Sequence, residues 1–109
     1  MNPVDPVQRQ LDAYNARDLE RFMAEYADDV QVFRPPTAEP VFSGKAAMAR
    51  HYAENRFSLP NLHATVVNRM VVGNTVVDHE HIVGIQDRLV EAIAVYRVEG
   101  GLIRMAWFY

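Results

Sequence analysis

The chain has 109 residues, half of them hydrophobic, a formal net charge of −3 and no cysteine. That is enough apolar material for one core at this length, and it excludes disulfide frameworks, thiol nucleophiles and Cys-ligated metals. No long Lys or Arg run offers a face for nucleic acid, and no apolar run approaches the ~20 residues that span a bilayer. One domain over residues 1–109 is expected. The opening MNPVDPVQRQ lacks a basic region followed by an apolar stretch, so it does not read as a secretory signal. The expectation is a cytoplasmic protein.

Asp5-Pro6 reads as an N-cap followed by proline at the first helical position. The helix it opens carries Val7, Leu11 and Tyr14 on one face, with Gln10 beside them, and ends near Asn15-Ala16-Arg17. Asp18 caps a second, shorter helix with Leu19, Phe22, Met23 and Tyr26 as its buried stripe. Residues 30–34 alternate as a short strand that Pro35-Pro36 ends, and Val41-Phe42 forms a brief extended piece. Ser43-Gly44 opens a third helix over residues 45–56, with Ala46, Met48, Ala49, Tyr52 and Ala53 on its packing face. Residues 62–72 form a long strand, and Gly73-Asn74 suits a two-residue hairpin turn.

Residues 75–109 hold no plausible helix. Three apolar-rich runs, 76–85, 89–98 and 102–109, are separated by Gln86-Asp87-Arg88 and Glu99-Gly100-Gly101, which predicts an antiparallel meander. In the first run Val77, His79, His81, Val83 and Ile85 share one face, and Val76, Asp78, Glu80 and Ile82 share the other. Helices first and strands last favour an α+β architecture.

Several segments carry a resemblance to a known family. QRQLDAYNARDLERFMAEYADD (residues 8–29) combines an amphipathic helix, N-A-x-D-L and a short helix ending in Y-A-D-D before a strand. Ser43-Gly44 before a helix, RMVVGNTVVDHE (residues 69–80) and the final Trp107-Phe108-Tyr109 continue the pattern. In these the chain resembles the nuclear transport factor 2-like superfamily, and within it the SnoaL-like and steroid Δ-isomerase-like branch. The resemblance implies a cone, with three helices packed in a strongly bent, mainly antiparallel sheet around a pocket, and a homodimer through the outer sheet face. It does not imply one activity, because this fold carries many. Set against the ketosteroid isomerase pattern, Arg34 stands at the base position, Gln10 at the tyrosine position and Ala94 at the meander acid position. All three catalytic groups are replaced, and an arginine is no general base. Tyr26 and Tyr52 match supporting aromatic positions.

Candidate site residues follow from strand parity within that cone. His79 and His81 are expected on the pocket face as proton-transfer groups, with Arg34 as a third catalytic candidate. Arg34 either meets Glu39 or a ligand carboxylate, or reaches out to the mouth. Asp78 and Glu80 are expected on the outer face, paired with Arg97 and Arg104 and accompanied by Ile82, Ile93, Val95 and Phe108. Tyr14, Tyr26, Phe33, Tyr52, Tyr96, Met105, Trp107 and Tyr109 are the candidate ligand-binding side chains, with Ala92 and Ala94 leaving room opposite the imidazoles. A bulge or a slipped register would exchange the two faces of the first meander strand. No metal site and no cofactor are expected. The functional expectation is an isomerase-, lyase- or hydrolase-type enzyme on a small hydrophobic carbonyl or carboxylate compound. A non-catalytic ligand binder or a dimeric interaction module is the alternative.

Overall fold

The computed structural model describes residues 2–109. Its elements are α1 (Val4–Ala16), α2 (Leu19–Met23), β1 (Tyr26–Phe33), β2 (Pro40–Ser43), α3 (Lys45–Asn55), β3 (His63–Val72), β4 (Thr75–Val83), β5 (Val90–Glu99) and β6 (Leu102–Phe108). The predicted α+β order holds. Helix α1 starts earlier than expected, with Pro3 at the cap and Asp5 inside the first turn, where its charge complements the exposed N–H groups. Arg17 closes α1 in the left-handed conformation, φ 54°. Asp18 caps α2 as predicted, its side chain accepting from the Arg21 N–H at 3.1 Å. On α3, Met48 and Tyr52 are buried, whereas Ala46 and Ala53 face solvent, so its packing face is narrower than the sequence suggested.

The six strands form one curved, unclosed sheet in the order β2-β1-β6-β5-β4-β3. Strands β1 and β6 run parallel, and every other neighbouring pair is antiparallel. The helices lie against the inner face. Asn15 at the end of α1 fastens it to β3 by two bonds to Ala64, one to the N–H (2.8 Å) and one to the carbonyl (2.9 Å). Val7, Phe22, Val30, Val32, Met48, Val76 and Ile103 are almost fully enclosed between the layers. Beyond β4 the chain passes so close to the segment before β3 that a Cβ on Gly84 would lie 2.3 Å from the Asn61 carbonyl oxygen. With φ +90° as well, only glycine suits that position.

Register decides which side chains face inward. Strand β4 pairs with β5 as Val76↔Tyr96, Asp78↔Ala94 and Glu80↔Ala92. Cross-strand partners share a face, so the Ala/Tyr face of β5 carries Asp78 and Glu80 with it. Two bulges then exchange parity in the flanking strands. The shift between Val66 and Asn68 brings Arg69 directly opposite Asp78. The shift between Arg97 and Val98 turns Ala106 and Phe108 inward and Met105 and Trp107 outward.

Candidate functional site

Between the helices and the inner sheet face lies a cavity of about 150 Å³. Gln10, on α1, organises its floor. The Gln10 Oε1 accepts from the Tyr26 hydroxyl at 2.9 Å, and its Nε2 donates to the Val7 carbonyl at 3.0 Å and to the Tyr96 hydroxyl at 3.3 Å. The Tyr96 oxygen is therefore an acceptor within the floor. Its own proton is left for an acceptor in the cavity that its ring lines. Burial holds the phenols of Tyr26, Tyr52 and Tyr96 well above their ordinary range and that of Tyr14 up to about 12, the last against the pull of Arg56. All four are neutral hydroxyl groups at physiological pH.

Two carboxylates from β4 enter this apolar interior, and they are treated differently. Asp78 is fully buried and held by Arg69 in a two-point contact, Nε to Oδ1 at 2.7 Å and Nη2 to Oδ2 at 2.9 Å. The remaining arm of Arg69 donates to Gln8 Oε1 at 2.8 Å. Glu80, only 6 % exposed, lines the cavity wall and receives no hydrogen bond among the described residues. Burial first, and the charge of Asp78 second, push its pKa up to about 7, against the partial pull of Arg69. A carboxyl poised near neutrality beside phenol donors has the equipment for proton transfer. The small Ala92 stands across from it in β5.

The mouth is cationic. Arg34 and Arg56 both border the cavity, and Arg34 is exposed there, so of its two expected positions the mouth is the one found. After burial, the charges of Arg56 and Arg34 are what push the neighbouring His51 down. The three positions matched to the ketosteroid isomerase pattern thus lie at the rim (Arg34), on the floor (Gln10) and beneath the wall (Ala94).

Several expectations are corrected. His79 and His81 do not face the cavity; they lie on the outer sheet face, 39 % and 36 % exposed, with Nε2 atoms 2.5 and 3.4 Å from Glu91 Oε2. The His79 hydrogen bond is the main reason Glu91 is held below the usual carboxylate range. Asp78 and Glu80 are inside, and the outer charges pair otherwise: Arg97 with Glu99 at 3.0 Å, and Arg104 with Asp29 at 2.8 Å and Glu99 at 3.1 Å. Ile82 and Phe108 face the cavity, while Ile93 and Val95 remain outside. Of the eight ligand-binding candidates, Tyr14, Tyr52, Tyr96 and Tyr109 line the cavity. Tyr26 lies under its floor. Phe33 stacks on Trp107 on the outer face, ring centroids 5.6 Å apart, and Met105 shares that face.

The sequence places Glu80 inside only as the outcome of exchanged strand faces, and it does not reveal Arg69 as its neighbour's partner or Glu91 beside the histidines. One signal was available: Arg69 is the single Lys or Arg in residues 62–72, and a cation held among those valines needs a carboxylate opposite.

The sequence matches the SnoaL-like domain family over residues 7–105. No curated protein matches it. Among solved structures, a cystatin-fold protein from Novosphingobium aromaticivorans superposes with a TM-score of 0.87 at 23% identity, covering 100% of this chain and 98% of that one. A proposed ketosteroid isomerase from Kribbella flavida gives 0.83 at 22% identity over 97% and 75%. A proposed polyketide cyclase from Sinorhizobium meliloti gives 0.83 at 16% identity over 100% of both chains. At these identities the likeness is one of fold. Among the described residues no helix is long and apolar enough to cross a membrane.

Proposed function

The chain belongs to the SnoaL-like family, and we propose that within it this protein is an acid–base enzyme of the isomerase or lyase type. Its substrate is a small, largely apolar carbonyl or carboxylate compound taken into the cone. The observation that carries this reading is Glu80: a cavity-wall carboxyl, 6 % exposed, left without the guanidinium that its neighbour Asp78 takes. In the proposed reaction ionised Glu80 removes a proton from the carbon beside a carbonyl. The Tyr96 hydroxyl, itself receiving a bond from Gln10, donates to the developing enolate oxygen. Glu80 then returns the proton to a different carbon, or a leaving group departs. Arg34 and Arg56 at the mouth suit a carboxylate tail. Arg34, Gln10 and Ala94 do not supply the groups that turn over a 5-ene-3-ketosteroid, so that reaction is not proposed.

The test is proton exchange in D2O, followed by NMR, with a panel of small ketones and ketoacids. The wild type should exchange the α-proton of a ligand it binds. Glu80→Gln should bind that ligand and exchange it ~10²–10⁴-fold more slowly, while His79→Ala and His81→Ala should leave the rate unchanged. Equal rates in the wild type and Glu80→Gln would remove Glu80 from the reaction. Tight binding with no exchange in the wild type would favour the second reading, a non-catalytic binder. That reading draws on the Tyr26–Gln10–Tyr96 chain, which already ties up part of the polar floor.

We also propose a homodimer through the outer sheet face. Met70, Val72 and Ile93 on β3 and β5 are 59 %, 75 % and 43 % exposed, with Val77 on β4 between those strands and Val95 and Trp107 continuing the face onto β5 and β6. A continuous apolar face of this kind calls for a cover. A monomer by light scattering at micromolar concentration would contradict it.

A further inference from the structure

We infer that His79, His81 and Glu91 form a binding site for a divalent transition-metal ion of the zinc class on the outer face of the sheet. Their ligating atoms all lie within 4.8 Å of one another. The arrangement follows from the fold. His79 and His81 are two apart on β4, so both project outward, and Glu91 on β5 is the direct cross-strand partner of His81. Both imidazoles present Nε2 to the same carboxylate oxygen, with ring centroids 5.4 Å apart and ring planes at 84°. An ordinary cross-strand ion pair requires one imidazole. Here a second nitrogen is aimed at the same oxygen.

The spacing suits a small ion. Zinc lies ~2.0–2.2 Å from imidazole nitrogen and carboxylate oxygen, which puts tetrahedral ligand atoms roughly 3.3 Å apart. The His81–Glu91 separation of 3.4 Å already has that length, and the His79–Glu91 separation of 2.5 Å has to open by less than ~1 Å. Two imidazoles and one carboxylate select zinc, cobalt, nickel or copper over magnesium and calcium, whose ligands are oxygens. In a single copy all three side chains are partly or fully exposed, so an ion can reach them; they share the outer face with the proposed dimer contact, Ile93 being the cross-strand partner of His79. Glu80 points through the opposite face of the same strand, whereas Glu91 also borders the cavity, so the two sites meet at that residue. It needs no second copy of the chain.

The experiment is calorimetric titration of the whole chain with Zn²⁺, with Mg²⁺ as the hard-ion control. The wild type should bind one Zn²⁺ and no Mg²⁺. Glu91→Gln and each single histidine-to-alanine change should weaken zinc by at least ~10-fold, the loss carried by even an outer partner of a metal ligand. The double variant His79→Ala/His81→Ala should not bind, whereas His51→Gln should bind as the wild type does. NMR of the unsubstituted protein gives a measurement independent of any variant: zinc should move the imidazole resonances of His79 and His81 and leave those of His51 in place. Absence of zinc binding up to ~100 μM, near −5.5 kcal/mol, would overturn the inference. So would equal affinity of the wild type and the double variant, or zinc-induced shifts confined to other histidines.

Discussion

The two faces of β4 hold ionisable groups one residue apart and put them to opposite uses. Asp78 and Glu80 face inward, where water is scarce, and each answers the cost of burial in its own way. Asp78 takes Arg69 as its partner, and Glu80 rises toward neutrality. His79 and His81 face outward, where hydration and Glu91 are at hand. The difference teaches that strand neighbours acquire their roles from the face they are turned to. Turning depends on the partner strand's register more than on the residue's own chemistry.

The largest effect should come from breaking the inner pair. Arg69→Met leaves Asp78 buried and unpaired, which should cost ~3–5 kcal/mol of stability by urea melt. Adding Asp78→Leu should recover most of that loss. If Arg69→Met is mild and Asp78→Leu adds to it, the pair is not a desolvated unit.

Glu80 should act in the other direction. Its ordinary value is 4.5 and burial raises it to about 7 in the folded chain. Between those values the unfolded chain has released the proton and the folded chain retains it, so stability falls as pH rises across that window. The contribution is fully present below 4.5 and gone above 7. Glu80→Gln should therefore raise stability at pH 8 by something on the order of 1–3 kcal/mol and flatten this fall. A loss of stability at pH 8 would mean that Glu80 is paired.

Tyr26→Phe removes the donor to the buried Gln10 amide and should cost ~1–2 kcal/mol. The smallest effect belongs to the outer face: without metal, His79→Ala and His81→Ala should each stay within ~0.5 kcal/mol of the wild type. A cost of several kcal/mol for either would put the imidazoles in a core.

Much of the architecture was legible. The turn residues Gly73-Asn74 and Gly100-Gly101, the Asp18 cap and the alternation in 75–109 carry strong local signals, and each reappears in the structure. Tyr14, Tyr52 and Tyr96 also reached the cavity as expected. The face of β4 was not legible, because its apolar residues are shared evenly between both sides, so periodicity alone has no preference. Two acids are accommodated on the inner face because Arg69 stands opposite one of them. Arg69 arrives there through a bulge between Val66 and Asn68, a one-residue irregularity that parity counting cannot see. The bulge between Arg97 and Val98 misdirected Met105 and Trp107 in the same way. Glu91 was invisible as a partner because it sits across a loop whose length does not fix the register.

The central claim is that Glu80 is the proton-bearing group of the cavity, and its titration tests this directly. Carbon-detected NMR of the Glu80 side-chain carboxyl, assigned by its loss in Glu80→Gln, would follow it across pH. The account predicts an inflection at about 7. An inflection near 4.3, the value of a glutamate in water, would contradict it and leave the cavity without an acid–base residue near neutrality.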